Sequence, residues 1–141
     1  MIVLDTSVLS LALRRRISTA GTETRETTVL RRILDANVRT AVPGIVLQEI
    51  LSGVRGASQF RELRRALDEF DLLLAAREHH VAAAAISNTC VSRGIVAGLA
   101  DCLIAAVTIA ERGQLFTTDR DFVHIAEHTP LQLLDVERLM P

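Results

Sequence analysis

The residues of this sequence best suited to catalysis are carboxylic acids, and four of them stand on separate segments: Asp5, Glu49, Asp101 and Asp119. Asp5 and Asp119 each follow a short apolar run of the kind that forms a buried parallel strand. Glu49 and Asp101 lie instead in predicted helices. Because parallel strands end at one edge of their sheet, where the following helices begin, we expect the four carboxylates to gather there. Carboxylates so close together repel unless a divalent cation lies among them.

The chemistry of such a cluster follows from its ligand atoms. Oxygen ligands without His or Cys partners favour Mg²⁺, with Mn²⁺ able to substitute. A cation held in this way lowers the pKa of a bound water and neutralises charge on a phosphate, which suits phosphodiester hydrolysis. Other kinds of metal or catalytic site have little support in the sequence. Cys90 and Cys102 have neither metal nor disulfide spacing, and no His-Glu-x-x-His motif surrounds His124 and His128.

Each acid also has a purely structural interpretation. Asp5 can cap the helix that follows it, and a glutamate beside an apolar stripe, such as Glu49, can extend to water. The dipole of a helix favours Asp101 in its first turn. Asp119 and Asp121 can both cap a short helix, although one cap is enough. For Asp5 and Glu49 considered individually, a structural role is commoner than a catalytic one. The prediction of a catalytic site therefore depends on the acids lying together.

Strands and helices alternate along the chain. The predicted strands cover residues 1–4, 39–42, 72–74, 114–117 and 131–134, and the predicted helices cover residues 8–13, 24–37, 45–53, 58–70, 77–93, a segment opened by Asp101, and a short segment through residue 125. We predict that the 72–74 strand is buried, that the last strand lies at an edge, and that Pro43 starts a helix. This order predicts an α/β protein of three layers, with helices on both faces of a mostly parallel sheet of four to five strands. Its 141 residues are expected to form a single domain, 1–141.

Composition narrows the classes of function. All sixteen basic residues are Arg, which excludes P-loop, Schiff-base and receiver-domain chemistry that requires Lys. Residues 1–65 carry a net charge of +5 and the remainder −6. This asymmetry is compatible with a polyanion held beside a cation site, and equally with ordinary solvated helix faces. The Arg14–Arg16 triplet can stabilise a helix end or contact phosphate or an acidic partner. No run is long enough to span a bilayer and Asp5 interrupts any leader, so we expect a cytoplasmic protein without a membrane partner.

Four short motifs occur in order along nearly the whole chain: Leu-Asp-Thr-Ser at 4–7, Glu49 with Gly53 four residues later, Asp101 followed by Leu-Ile-Ala-Ala at 103–106, and Thr-Thr-Asp-Arg-Asp-Phe at 117–122. Together they resemble the PIN-domain ribonucleases, and most closely the VapC-type toxins of bacterial toxin–antitoxin pairs. The resemblance implies a PIN-like fold in which the four acids are the metal-binding catalytic residues. It implies supporting hydroxyls at Thr6, Ser7 and Thr117, and makes Asp121 a candidate fifth ligand or a group behind the ligands.

The same resemblance implies an activity and partners. These are a Mg²⁺-dependent endoribonuclease that cuts structured RNA such as transfer or ribosomal RNA, a homodimer, and a small antitoxin whose C-terminal segment covers the acidic groove with an Arg. Two other functional hypotheses stay open. One is a PIN-type nuclease of RNA maturation or of DNA that has no antitoxin, and the other is a catalytically silent PIN-like module that binds RNA or protein. The presence of all four acids argues against a catalytically silent module.

Overall fold

A computed structural model describes residues 1–17 and 23–140 of the chain. The side chains of residues 14–17 lie outside what it describes, as does most of the loop predicted at 18–23, so the contacts expected of the Arg14–Arg16 triplet are not described. The strands are β1 (Ile2–Leu4), β2 (Thr40–Pro43), β3 (Asp71–Leu73), β4 (Gln114–Phe116) and β5 (Gln132–Leu133). The helices are α1 (Thr6–Ile17), α2 (Arg25–Asp35), α3 (Gly44–Leu51), α4 (Ala57–Leu67), α5 (Arg77–Ser92), α6 (Leu99–Ala110) and α7 (Asp121–Glu127), followed by a 3₁₀ helix (Val136–Leu139).

The five strands form one parallel sheet in the order β3-β2-β1-β4-β5. Ile2 of the central strand β1 pairs with Thr40 on one side and Gln114 on the other. All three residues of β1 are buried. Since successive residues of a strand face opposite sides of the sheet, helices must cover both faces. The predicted three-layer α/β architecture with a parallel sheet is therefore confirmed.

The direction of the crossovers reverses between β1 and β4. From β1 the chain moves outward through β2 to β3, then crosses to β4 on the other side of β1 and continues to β5. In open parallel sheets, ligands bind beyond the carboxyl ends of the strands at such a switch point. Asp5 directly follows β1, and Thr117 directly follows β4. The topology therefore brings these two residues to the position that the fold favours for a ligand.

Several predicted boundaries differ from the structure. The strand predicted as buried at 72–74 is the edge strand β3, in which Leu72 is 47% exposed. That prediction was wrong because a run of three leucines does not distinguish an edge strand from a central one. Pro43 ends β2 and precedes the first residue of α3 rather than starting the helix. The first helix begins at Thr6, two residues earlier than predicted. The last strand lies at an edge, as predicted.

The helix that carries Asp101 is the most buried one. Half of its twelve residues are buried, and it packs most extensively against α5. Cys90 of α5 and Cys102 of α6 are both free and buried, as expected from their spacing. No helix among the described residues is long and apolar enough to cross a membrane.

Candidate metal centre

Asp5 is buried, with 4% of its surface exposed, although it carries a carboxyl group. Its Oδ2 atom accepts a hydrogen bond from Ser7 Oγ at 2.8 Å and from Thr117 Oγ1 at 2.7 Å, with the Ser7 amide further away at 3.4 Å. Its carbonyl accepts the first helical hydrogen bond of α1, from Leu9 N at 3.1 Å. Asp5 is thus the cap of α1, as its structural interpretation predicts. Within residues 1–13 and 23–140, however, no donor bonds its Oδ1 atom, so one oxygen serves the fold and the other is available.

The two hydroxyls that hold Asp5 are themselves oriented by the backbone after β4. Ser7 Oγ accepts from the Thr118 amide at 3.0 Å, and Thr117 Oγ1 accepts from the Asp119 amide at 3.0 Å. Each hydroxyl therefore receives one proton from the backbone and directs its own to the same carboxylate oxygen. The 3.3 Å approach between the two hydroxyls adds no further bond, because both protons are already committed. This relay ties the end of β1 to the loop after β4.

Three other acids converge next to this relay. One carboxylate oxygen each from Asp101, Asp119 and Asp121 lie within 4.8 Å of one another. Asp101 is in the first turn of α6 and Asp121 is the first residue of α7. The Oδ1 atom of Asp119 accepts the Asp121 amide at 2.9 Å, which fixes the turn between them. Asp119 therefore holds the amide of the first residue of α7, but the N-cap of that helix is Arg120, so neither Asp119 nor Asp121 is the cap residue.

Asp101 lies close enough to the other four acids to be affected by their charges. Burial raises the pKa of Asp101, and the carboxylates of Asp119, Asp5, Asp121 and Glu49 raise it further, in that order. The pKa reaches about 6 from an ordinary value of 3.8. A carboxyl group in this position resists ionisation because it would add a further negative charge to the cluster. A cation among these side chains would remove that cost.

Glu49 is exposed, as is Asp119, whereas Asp5 is buried and Asp101 is half-buried. It lies about one and a half turns into α3, which contacts both α1 and α6. Its Oε2 atom accepts a hydrogen bond from Thr6 Oγ1 at 2.8 Å. Glu49 is therefore held by a hydroxyl of the neighbouring helix rather than extended freely into water, and its Oε1 atom has no donor in the described part of the chain.

The donor set matches a hard divalent cation. All five acids present carboxylate oxygens, the neighbouring groups are hydroxyls, and neither His124 nor His128 belongs to the cluster found among the described residues. Such ligands suit Mg²⁺ or Mn²⁺ better than softer metals. The structure thus places every predicted site residue at one edge of the sheet: the acids Asp5, Glu49, Asp101, Asp119 and Asp121, and the hydroxyls Thr6, Ser7 and Thr117.

Sequence reasoning missed two features of the site. The backbone amides of residues 118 and 119 orient the hydroxyls around Asp5, and a backbone donor leaves no signal in residue types. The structure also groups Asp121 more closely with Asp101 and Asp119 than it groups Asp5 or Glu49. The repeated acid in the Asp-Arg-Asp run was the available signal for that residue.

A parallel sheet with carboxylates at its switch point defines an α/β protein with a candidate divalent-cation centre. The chain belongs to the PIN domain family, whose model matches residues 2–128. No curated protein sequence matches the chain.

Solved structures share its fold at low identity. VapBC2 from Rickettsia felis, bound to a promoter DNA fragment, is 21% identical over 95% of this chain and 98% of that one, with a TM-score of 0.76. FitAcB from Neisseria gonorrhoeae is 20% identical over 97% and 99%, with a TM-score of 0.74. A toxin–antitoxin complex from Klebsiella pneumoniae is 20% identical over 94% and 100%, with a TM-score of 0.67.

Proposed function

We propose that this protein is a Mg²⁺-dependent endoribonuclease, and the VapC-type toxin of a toxin–antitoxin pair in the cytoplasm. The observation that carries the proposal is the convergence of Asp101, Asp119 and Asp121, with Asp5 and Glu49 close enough to raise the pKa of Asp101. Membership of the PIN domain family and the likeness to toxin–antitoxin complexes support the same activity. RNA as the substrate follows from the resemblance of the four motifs.

The side chains divide the work at the reacting phosphate. When bound, a divalent cation lowers the pKa of water and neutralises charge on the scissile phosphodiester. Asp5 is the fixed member, because two hydroxyls hold its Oδ2 and leave its Oδ1 for binding. Asp119 is fixed through its Oδ1 atom and presents its Oδ2. Asp101 contributes from the start of α6, whose dipole favours negative charge there.

Glu49 is an acid of the centre whose side chain can change position. It is exposed, reaches the site from α3, and within residues 1–13 and 23–140 is held only by the Thr6 hydroxyl. An exposed glutamate with one hydrogen bond can change rotamer at low cost, whereas buried Asp5 cannot. We infer that Glu49 adapts to the substrate while Asp5 sets the position of the centre.

An apolar cavity beside Glu49 supports a protein partner. The cavity holds about 250 Å³ and lies where α1, α3 and α4 meet, with Thr6, Glu49, Ile50 and Leu63 in its lining. An apolar side chain can fill such a cavity while an adjacent Arg pairs with the exposed glutamate. We assign this occupant to the C-terminal segment of a small antitoxin.

A homodimer is also part of the proposal. Val91, Val96 and Leu99 are exposed by 69%, 92% and 79% around the loop between α5 and α6. Apolar groups in one stretch of surface are typical of an interface. A second copy of the chain is the partner that the resemblance implies for it.

The proposal is tested by cleavage of a structured RNA by the purified protein. We expect cleavage with Mg²⁺ or Mn²⁺, no cleavage in EDTA, and a loss of at least about a hundred-fold in rate for Asp5→Ala and for Asp101→Asn, as is common when a group that binds the reacting charge is removed. Glu78→Gln is the matched control, because Glu78 is also a first-turn acid but belongs to α5. Cleavage that persists in EDTA and in both site variants would exclude a metal-dependent mechanism.

The partner and the nucleic acid are tested separately. A toxin should arrest growth when expressed alone and lose that effect when the small gene upstream of it is co-expressed. A nuclease of RNA maturation would show neither effect, and equal cleavage of a single-stranded DNA of the same sequence would favour the DNA alternative.

A further inference from the structure

A second cavity opens directly beside the carboxylates. It holds about 260 Å³ and is bounded by the carboxyl ends of β4 and β5, by α7, and by the 3₁₀ helix near the C-terminus. Thr117, Thr118 and Asp119 belong both to its lining and to the metal centre or its relay. A group bound in this cavity would therefore be a direct neighbour of a phosphate at the centre.

The size and the surface of the cavity fit one small, partly apolar group. Its walls include the aliphatic side chains of Leu115, Val123, Leu133 and Val136. Its volume is just below the range of about 300–1,000 Å³ for sites that take drug-sized ligands, so we infer a fit to a single base with its sugar and not to a longer segment. Its lining contains no aromatic side chain. A base would be held between aliphatic groups rather than stacked on a ring.

Three of the five charged residues that line the cavity form ion pairs. Arg25 forms an ion pair with Glu137 across the cavity wall. Asp135 pairs with Arg138 at 3.1 Å and also caps the 3₁₀ helix through the Glu137 amide. In the part of the chain that the structure describes, Arg120 is left as the cation of this lining without an ion-pair partner. It is exposed and sits between Asp119 and Asp121, so an anion is its natural partner.

Side chains of α2 connect that helix to the far wall of the cavity, which is formed by the 3₁₀ helix. The Arg25–Glu137 pair ties the 3₁₀ helix to the start of α2, and Arg32 donates to the Leu139 carbonyl at 3.0 Å further along the same helix. Residues 133–137 of this wall lie beyond the region 2–128 that the family model matches. This half of the cavity therefore lies outside the matched family region.

We propose that this cavity is a nucleotide subsite, in which the base and sugar next to the cleaved bond enter between β4, β5 and the 3₁₀ helix while Arg120 contacts the adjoining phosphate. The inference rests on the proposed nuclease function and extends it to the choice of cleavage site. A pocket that accepts one base beside the reacting phosphate discriminates among bases by the fit between the base and the pocket walls.

Direct binding is measured first, without metal. The four nucleoside 5′-monophosphates AMP, CMP, GMP and UMP are each added to the ¹³C-methyl-labelled full chain in EDTA. We expect saturable chemical-shift changes at the methyls of Leu133, Leu134 and Val136 that differ in affinity among the four bases. The exposed methyls of Val81, on α5, serve as the internal reference and should not move. If the cavity methyls respond to none of the four, the subsite does not exist.

Cleavage by matched variants then tests the role in catalysis. Val123 is 44% exposed at the rim of the cavity, so Val123→Phe should fill it without disturbing the core, and Val81→Phe is the control of equal chemistry on α5. We expect Val123→Phe to change the relative use of cleavage sites in one RNA by about ten-fold or more, as for loss of a fitted apolar contact. The control should reproduce the wild-type pattern. An unchanged pattern in Val123→Phe would overturn the proposal.

Arg120 is tested through the salt dependence of KM. Arg120→Gln should lower the slope of log KM against log salt by about 0.7, the value for one phosphate of a single strand. Arg112→Gln is its matched control, since Arg112 is exposed next to the opposite, amino end of β4. Equal slopes in the two variants would contradict the phosphate contact. Wild-type protein that binds nucleotides but does not cleave RNA would instead refute the nuclease function and leave the binding site in place.

Discussion

The cost of ionising Asp101 beside four other acids makes a prediction about stability in the absence of metal. Replacing Asp101 with Asn removes that charge and keeps the size of the side chain. The folded protein holds the proton of Asp101 with a pKa of about 6, compared with an ordinary value of 3.8. Because the folded state binds this proton more tightly, the stability linked to Asp101 is fully present below pH 3.8 and is lost as the pH rises through 6. At pH 8 the charged form opposes folding, and Asn should relieve it.

The size of the effect follows from two opposing contributions. Each unit of pKa corresponds to about 1.36 kcal/mol, so a sealed site would give about 3 kcal/mol. Asp101 is only half-buried, and screening by solvent reduces this to about 1–2 kcal/mol. The Asn variant also loses the attraction of a first-turn acid to the helix dipole, about 0.3–1 kcal/mol. We expect a net gain of about 1 kcal/mol at pH 8, or a rise of about 2–5 °C in melting temperature for a chain of this length.

The assay is thermal unfolding in EDTA at pH 8, 6 and 4. Asp101→Asn should melt higher than wild type at pH 8, and the difference should shrink through pH 6 and disappear near pH 4. Glu78→Gln provides the control, because it removes a first-turn acid of α5 that is not part of the acidic cluster. It should melt slightly lower than wild type at pH 8. If Asp101→Asn also melts lower, or does not change, Asp101 is a helix-start residue and the cluster carries no electrostatic strain.

Two further predictions concern the relay and the cation. Thr117→Val removes the donor to Asp5 and the acceptor for the Asp119 amide, so it should lower the free energy of unfolding in urea by about 1–3 kcal/mol and lower the kcat of RNA cleavage. Thr117→Ser keeps the hydroxyl and should keep both the stability and the kcat. Equal stability of the two variants would show that the relay is not stabilising. Mg²⁺ should raise the melting temperature more at pH 8 than at pH 5. The pKa of Asp101 is about 6, so at pH 5 a proton bound to its carboxyl group competes with the cation. The same rise in melting temperature at both pH values would contradict this prediction.

The sequence predicts the sheet and the gathering of the acids well because both depend on periodicity and connection. Buried apolar runs followed directly by an acid identify strands whose carboxyl ends carry functional groups. Alternation with helices then forces those strands to be parallel, so Asp5 and Asp119 must emerge on the same edge. Glu49 and Asp101 follow from the helices next to that edge. No long-range contact had to be known for these steps.

The order of the strands and the hydrogen bonds made by the backbone could not be predicted from the sequence. Leu72 was expected to be buried, since local sequence does not say which neighbours a strand acquires. The hydroxyls of Ser7 and Thr117 could be suspected of supporting Asp5, but the amides that orient them depend on the pairing of β1 with β4 across more than a hundred residues. The nucleotide subsite depends on the same kind of contact, because its far wall is fixed by Arg25 from a distant helix.

The two roles of Asp5 explain why capping and chemistry need not be alternatives. A cap uses one acceptor, and a carboxylate has two oxygens with about four lone-pair sites between them. At Asp5 the relay and the helix share Oδ2, so the Oδ1 atom is held in place and accepts no hydrogen bond from residues 1–13 and 23–140. Asp119 repeats the arrangement, with Oδ1 given to the Asp121 amide. The hydrogen bonds at the starts of α1 and α7 therefore also orient the second oxygens of Asp5 and Asp119. Asp5 is the most firmly held acid because it is buried and bonded by two hydroxyls, whereas exposed Asp119 and exposed Glu49 each accept one hydrogen bond.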